Sequence, residues 1–291
     1  MVPTVTIKKD YCIKCGLCVQ DCVGGLYSQD SKDSVPEVHD LEFCISCGHC
    51  SAICPSNAII HSGFPQGFIQ PINRKNQPSS EELLELLRTR RSMRVFQDKP
   101  VEKQQIEQII DAARFAPTAH NTQATQYIVI QNKTIVENLA TATTDQLSMV
   151  VKMTHNPLMK PVFLVMAGKQ ADSILKMVPL IEKGIAAFKR GNDIILHNAP
   201  VLLIFHADEL SMMPDINAHL AMQNATLMAH SLGLGSFYTG LLLTAAQRDK
   251  SIENMINLPK NHKIYGGLAI GYPKYEFKKW IERKTPEMSW L

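Results

Sequence analysis

Two short runs contain every cysteine of this 291-residue chain. Both runs space their four cysteines with two, two and three intervening residues; the cysteines are Cys12, Cys15, Cys18 and Cys22, then Cys44, Cys47, Cys50 and Cys54. Thiolates at short spacing can bind zinc or iron–sulfur clusters, and cysteines can also form disulfides. The full four-cysteine spacing favours two [4Fe–4S] clusters, because three close cysteines cover one face of a cubane and leave its fourth iron to a distant ligand.

The fourth cysteine of each run is therefore expected to serve the other cluster. One predicted ligand set is Cys12, Cys15, Cys18 and Cys54, and the other is Cys44, Cys47, Cys50 and Cys22. Gly16 and Gly48 each follow the second cysteine of a run, where the backbone must pass close to a cluster. His49 is interpreted as a neighbour of a cluster, not as a ligand. The segment resembles the two-cluster bacterial ferredoxins, although Val23 stands where that pattern has proline.

A second group of candidate residues is the segment 90–96 (RRSMRVF), which follows a predicted helix. Its three guanidinium groups could pair with phosphate in a bidentate manner, and its serine hydroxyl could add a donor. Arginine-rich segments also occur on solvated surfaces, so this segment alone leaves both interpretations open.

Further motifs follow the arginine segment in order along the chain. They are 116–123 (APTAHNTQ), 198–200 (NAP), Gln223, 231–240 (SLGLGSFYTG), 271–273 (GYP), and Arg283 with Lys284. Together with the arginine segment, this ordered set resembles the nitroreductase family of FMN-dependent flavoproteins over residues 81–291. The whole chain is similar to ferredoxin–nitroreductase fusions.

This resemblance implies ten FMN-binding residues. Those implied for the phosphate and ribityl chain are Arg90, Arg91, Ser92 and Arg94, with Arg283 and Lys284 closing on the phosphate. Those implied for the isoalloxazine edge and for flavin N5 are Asn121, Gln123, Thr239 and Gly240. No side chain is assigned a catalytic role, because the chemistry belongs to the flavin. Thr239 replaces an acidic residue of some members, and Ala124-Thr125 replaces a frequent Pro-Trp, which bears on the substrate pocket.

The cysteine runs require elements that close a small domain around them. Residues 2–8 (VPTVTIK) alternate polar and apolar side chains and predict a strand, with 58–60 as its short partner. A ferredoxin-like domain at 1–60 is then expected, stabilised by its clusters because so short a chain buries little core. Residues 61–80 contain three prolines without periodicity and predict a linker.

Residues 81–291 predict an α+β fold, a nitroreductase-like α/β sandwich that binds FMN. Ser79 and Glu82 predict a capping box at the start of its first helix. Further predicted helices cover 101–116, 134–142, 172–189 and 214–232, with one more ending at Leu258 and Pro259. Predicted strands cover 127–130, 163–166, 201–205 and 265–270. Their alternation with helices predicts a buried central sheet.

Composition excludes several functional classes. A net charge of +3 does not favour nucleic-acid binding, and no apolar run is long enough for a membrane span. The first ten residues lack a secretory signal, so a cytoplasmic location is expected. Gly233 and Gly235 follow a predicted helix rather than a strand, which excludes a Rossmann fingerprint there.

The expected function is that of a flavin-dependent oxidoreductase. Electrons from a low-potential donor, a ferredoxin-type protein or NAD(P)H, would pass through the clusters to FMN and on to a small-molecule acceptor. A nitroaromatic, a quinone or an activated alkene would suit as the acceptor, and the resemblance implies a homodimer. The alternative is a redox-sensing or electron-shuttling iron–sulfur flavoprotein without a dedicated organic substrate.

Overall fold

The computed structural model describes residues 2–65 and 67–291. The chain divides into two compact units. The cysteine-rich unit comprises Met1–Pro78 together with His120–Thr122, and the second unit comprises Ser79–Ala119 together with Gln123–Leu291. The domain limits expected from the sequence, at 60 and 80, stay a prediction.

Helices account for more of the second unit than strands do. The α-helices of the described residues are α1 (Leu17–Asp21), α2 (His49–Ile53), α3 (Ser80–Thr89), α4 (Lys103–Arg114), α5 (Lys133–His155), α6 (Lys160–Ala167), α7 (Ala171–Lys189), α8 (Pro214–Ser231), α9 (Gly240–Ala246) and α10 (Lys250–Met255). The strands are β1 (Val5–Ile7), β2 (Tyr27–Ser28), β3 (Glu37–Val38), β4 (Ile59–His61), β5 (Gln126–Ile130), β6 (Val201–Asp208), β7 (Gly235–Tyr238) and β8 (His262–Gly271). Among the described residues, no helix combines the length and apolar character of a bilayer-crossing segment.

In the cysteine-rich unit, β1 and β4 form an antiparallel pair, with Val5 opposite His61. This pairing is the one predicted from the alternation in 2–8. A second two-stranded sheet joins β2 and β3. Val5, Leu26 and Tyr27 form the small buried core, and four cysteine side chains pack against it.

In the second unit, four antiparallel strands lie in the order β5-β6-β8-β7. Alternate residues of β6 face opposite sides of this sheet. Val201, Leu203 and Phe205 join the core that includes α4 and α8. Leu202 and Ile204 join the core formed with α5, α9 and α10. The sheet is therefore covered by helices on both faces, which confirms the expected α+β class.

Most predicted elements have counterparts in the structure, but the helix expected at 134–142 continues to His155, and several elements, α9 among them, were not predicted. The capping box of Ser79 and Glu82 is present at the start of α3. The strand expected at 163–166 is wrong, since these residues lie within the helix α6, which has proline in its first turn. A four-residue apolar run does not distinguish a strand from a buried helical turn. Strand β7, at 235–238, was not predicted because glycine and serine begin it.

The buried His206 and the partly buried His262 lie where β6 shifts its register against β8. The Nδ1 atoms of His206 and His262 are 2.9 Å apart, so one ring donates a hydrogen bond and the other accepts it. Burial, and to a lesser extent the neighbouring His262, lowers the pKa of His206 to about 4. His206 is therefore neutral in the folded protein at pH 7.

This pair predicts a loss of stability on mild acidification. The unfolded chain takes up the His206 proton near pH 6.5, whereas the folded chain does so only near pH 4. The contribution of the neutral His206 to the free energy of unfolding is therefore fully present above pH 6.5. It is lost as the pH falls toward 4, at up to about 1.4 kcal/mol per pH unit. Urea midpoints at pH 7 and pH 5 should differ less in His206→Leu than in the wild type.

The exposed His155, which pairs with Glu182, supplies the control. His155→Leu should retain the wild-type difference between the two midpoints. Equal differences in the wild type and in His206→Leu would contradict the role of the buried pair.

Candidate functional site

The structure gathers the eight cysteines into two groups of four. Cys12, Cys15, Cys18 and Cys54 line one cavity. Cys22, Cys44, Cys47 and Cys50 line a second cavity of about 470 Å³. No disulfide joins any of the eight among the described residues. Each group contains three cysteines from one run and the fourth from the other run, which is the crossed membership expected from the spacing.

One turn of helix in each run places the third cysteine of that run. Helix α1 begins after Gly16, and α2 begins after Gly48. Both glycines are in the left-handed region, with φ of 70° and 76°, which side chains with a Cβ rarely adopt. The backbone therefore reverses between the second and third cysteines, so that the three thiols of one run can surround a common centre.

Polar groups surround the sulfur atoms of the first group. The Ala58 N–H donates to Cys54 Sγ at 3.3 Å, and Ser56 Oγ lies 3.6 Å from the same sulfur. Burial raises the pKa of the Cys54 thiol, but these hydrogen bonds outweigh it and leave the pKa lowered. At Cys18, burial dominates and raises the pKa of the thiol.

Two aromatic side chains contribute polar atoms to the second group. Burial raises the pKa of Tyr27, and a hydrogen bond to Cys50 raises it further, so the phenol remains protonated. His61 is 4% exposed, and its Nε2 lies 3.5 Å from Cys44 Sγ. Burial lowers the pKa of His61, so the imidazole is neutral at pH 7. Sequence reasoning missed both residues.

The repeat of the cysteine runs could have pointed to His61. The two runs are offset by 32 residues, and the same offset aligns His61 with Gln29. Both residues lie outside the cysteine runs, so the spacing of the ligands by itself does not indicate that they lie near a cluster.

In the second unit, the arginine segment lies along the edge strand β7. The Met93 N–H donates to Ser236 O at 3.0 Å, and Ser92 and Ser236 form a parallel bridge. Further on, the Gln97 N–H donates to Tyr272 O, and the Lys274 N–H donates to Val95 O. The segment is thus held at both ends by backbone hydrogen bonds, which fixes the positions from which its arginines project.

These arginines enter two different cavities. Arg90 and Arg91 line a cavity of about 320 Å³ together with His230 and Ser236. Arg94 lines a separate cavity of about 670 Å³, together with residues 192–193 and 197–200. Ser92 is exposed between them. The phosphate-binding set implied by the resemblance is therefore split in the isolated chain.

Arg91 is the member of this set with an unusual environment. Its Nη2 atom is buried and has no hydrogen-bond partner among the residues that the structure describes. Nearby, burial lowers the pKa of His230, and the positive charge of Arg90 lowers it further. A buried guanidinium nitrogen without a partner is costly, and the positive charges of Arg90 and Arg91 at this cavity suit an anionic ligand. The phosphate of FMN has that chemistry.

The remaining predicted residues lie in several places. Thr239 is buried before α9, its N–H donates to Gly267 O at 2.9 Å, and Gly240 is exposed beside it. Gln123 lines a small cavity with Arg114, and Asn121 belongs to the cysteine-rich unit. Arg283 and Lys284 are exposed in the segment after β8, where no helix or strand is assigned.

Comparison with known families agrees with this division of the chain. Residues 87–272 match the model of the nitroreductase family. Residues 11–59 match the model of a 4Fe–4S dicluster domain. The dicluster match favours iron–sulfur clusters over the zinc alternative.

Individual relatives align with about two thirds or more of this chain. A protein of Archaeoglobus fulgidus, provisionally named an NADH dehydrogenase/NAD(P)H nitroreductase, is 26% identical over 203 residues, which are 67% of this chain and 88% of the relative. A nitrobenzene nitroreductase of Ectopseudomonas oleovorans is 25% identical over 221 residues, 72% of this chain and 91% of the relative.

A crystal structure of a nitroreductase with bound FMN from Bacteroides fragilis shares the fold. Its TM-score is 0.51 at 20% identity, and the alignment covers 72% of this chain and 98% of that one. The nitroreductase model spans more than half of the present chain. The chain therefore belongs to the nitroreductase family and is a flavin oxidoreductase with an N-terminal 4Fe–4S dicluster domain, whose cofactors are FMN and two [4Fe–4S] clusters.

Proposed function

We propose that this protein transfers electrons from a low-potential donor to an electrophilic organic acceptor such as a nitroaromatic, a quinone or an activated alkene. When bound, the clusters supply one-electron transfer and FMN supplies two-electron reduction of the acceptor. The observation that carries the proposal is the buried, unpartnered Nη2 of Arg91 in a chain that also groups eight cysteines into two sets of four. The thiolate ligands suit a reducing cytoplasm.

The roles of the chain's own residues follow from their positions. Arg91, with Arg90 beside it, would hold the FMN phosphate through charge-assisted hydrogen bonds. The exposed Gly240 leaves its backbone accessible next to the buried Thr239, as the position near flavin N5 requires. Arg94 stacks over Phe237 with 5.6 Å between its guanidinium carbon and the ring centroid, and would neutralise charge on a ring system bound in its cavity.

A homodimer would complete the flavin site that the isolated second unit leaves divided. Large apolar side chains are exposed on helices of this unit: Leu83, Leu84 and Leu87 on α3, Val165 and Met166 on α6, and Ile216 and Leu220 on α8. Large apolar side chains exposed to water favour association. We infer that a second copy of the chain covers them in the homodimer.

The second cysteine group is proposed as the one that passes electrons toward FMN. Asn121 donates hydrogen bonds from Nδ2 to Ser46 O at 2.8 Å and to Ile45 O at 3.2 Å, and His120 lines the same cavity as Cys44 and Cys47. These residues belong to the cysteine-rich unit, whereas the chain continues at Gln123 into the second unit. The residues that contact this cysteine group are therefore part of the loop implied for the isoalloxazine edge.

The function can be tested on protein purified without oxygen. We expect about eight irons and one FMN per chain, and steady turnover of a nitroaromatic or quinone with reduced ferredoxin or NAD(P)H. Rapid electron exchange with other proteins, but no turnover of any organic acceptor, would instead favour an electron shuttle. Absence of flavin from the anoxic protein would refute the proposal.

Arg91→Ala should weaken FMN binding. It removes a charge-assisted hydrogen bond worth about 1.5–3 kcal/mol, so the Kd measured by flavin fluorescence should rise about 10- to 150-fold. Arg248→Ala, which changes an exposed arginine outside these cavities, serves as the control. An unchanged Kd in Arg91→Ala would remove Arg91 from the phosphate site.

Cys22→Ser and Cys54→Ser test the crossed ligand sets. They also test the proposal that the second cysteine group passes electrons to FMN. Each variant should lose about half of its iron, Cys22→Ser from the cluster of the second run and Cys54→Ser from that of the first. Reduction of FMN by reduced ferredoxin, followed by stopped-flow absorbance, should be slower in Cys22→Ser. Loss of the first-run cluster in Cys22→Ser would overturn the crossed ligand sets. Reduction of FMN at the wild-type rate in Cys22→Ser would overturn the role of the second cysteine group as the donor to FMN.

A further inference from the structure

His61 occupies a fixed position beside the second cysteine group. It is the last residue of β4 and pairs with Val5 of β1. The next residue, Ser62, is held by two further hydrogen bonds: its N–H donates to Thr4 O, and its Oγ accepts from the Thr4 N–H. Only 4% of His61 is exposed, so its ring orientation is set by the protein and not by solvent.

The hydrogen bonds of the imidazole determine which nitrogen carries the proton. The Gly63 N–H donates to Nδ1 of His61 at 3.0 Å, so Nδ1 acts as the acceptor. In a neutral imidazole the other nitrogen must then carry the hydrogen. That nitrogen, Nε2, lies 3.5 Å from Sγ of Cys44, within the range of an N–H···S hydrogen bond. His61 is therefore a donor to this sulfur.

Packing keeps the ring in this orientation. The ring of Phe64 lies 4.6 Å from the imidazole, between centroids, at an interplanar angle of 44°. Phe64 N–H also donates to His61 O, which closes a turn around the imidazole. Rotation of the ring away from Cys44 would lose the bond from Gly63 as well as this contact.

The equivalent position of the first run has a different function. Gln29 follows Cys12 at the same separation as His61 follows Cys44. Its Nε2 donates to Lys14 O at 3.1 Å and to Ser34 O at 2.8 Å, which are backbone carbonyls. The side chain at this position therefore hydrogen-bonds backbone carbonyls in the first run, whereas in the second run it lies within hydrogen-bond range of a sulfur.

We infer that His61 is a positioning residue that raises the reduction potential of the cluster held by Cys44, Cys47, Cys50 and Cys22. An N–H donor stabilises the additional negative charge that a cluster and its thiolates carry after reduction. Because a neutral donor does not need to gain or lose a proton, His61 acts on the electron equilibrium without taking part in acid–base chemistry. The inference rests on the ligand set proposed above.

The test is an anoxic redox titration of the full-length protein with its cofactors, followed by electron paramagnetic resonance. In His61→Leu, the one-electron reduction equilibrium of one cluster should shift about tenfold toward the oxidised form, a midpoint potential about 59 mV lower. The other cluster should keep its potential. His61→Gln can still donate an N–H and should recover part of the shift.

A matched control changes another histidine of the same unit. His39 is exposed and pairs with Asp40, so His39→Leu should leave both potentials unchanged. Iron content and the Cys22→Ser variant identify which cluster has shifted. If the potentials of both clusters in a fully loaded His61→Leu equal those of the wild type, the inference is wrong, whereas a failed ligand assignment would appear in the cysteine variants instead.

A measurement on the wild-type protein covers the case in which His61→Leu loses iron. Electron–nuclear double resonance of the reduced protein, grown with 15N-labelled histidine, should show coupling to a histidine nitrogen, and His61→Gln should abolish it. Absence of that coupling in the wild type would overturn the inference independently of any variant.

Discussion

The pairing of β1 with β4 is the constraint on which the cysteine-rich unit depends. It joins the residues before the first cysteine run to those after the second, with Val5 opposite His61. Closure in this manner places Cys54 with the first three cysteines of the chain. A unit whose buried apolar cluster consists of Val5, Leu26 and Tyr27 gains little from the hydrophobic effect, so ligand bonds to the clusters must contribute much of its folding free energy.

The larger core of the second unit supports the edge strand that holds the arginine segment. Helices on both faces of the sheet bury β6 almost completely. The edge strand β7 is left to bind the arginine segment through backbone hydrogen bonds. Rigid central strands therefore support an edge at which charged groups are held without being buried in the core. Arg91 is the exception on this segment, because its Nη2 atom is buried without a hydrogen-bond partner among the described residues.

Spacing in the sequence was sufficient to predict the cysteine groups, because ligand geometry depends on residues close along the chain. The capping box and most elements were also predictable from local patterns. The helix at 163–166 was not, because four apolar residues fit either element and tertiary packing decides between them. The contacts of His61 with Cys44 and of Asn121 with Ser46 were harder still to predict, because the partners are 17 and 75 residues apart in the chain. Such contacts arise only once distant segments are folded together.

The exchange of the fourth cysteine between the two runs also constrains how this protein could have evolved. The runs have the same spacing at an offset of 32 residues, as expected after duplication of a shorter ancestor. Yet each copy now supplies one thiol to the cavity of the other. Neither copy can be deleted, or change its spacing, without removing a thiol from the cavity of the other copy. The two runs are therefore expected to be retained together, because a change in one run alters both cysteine groups.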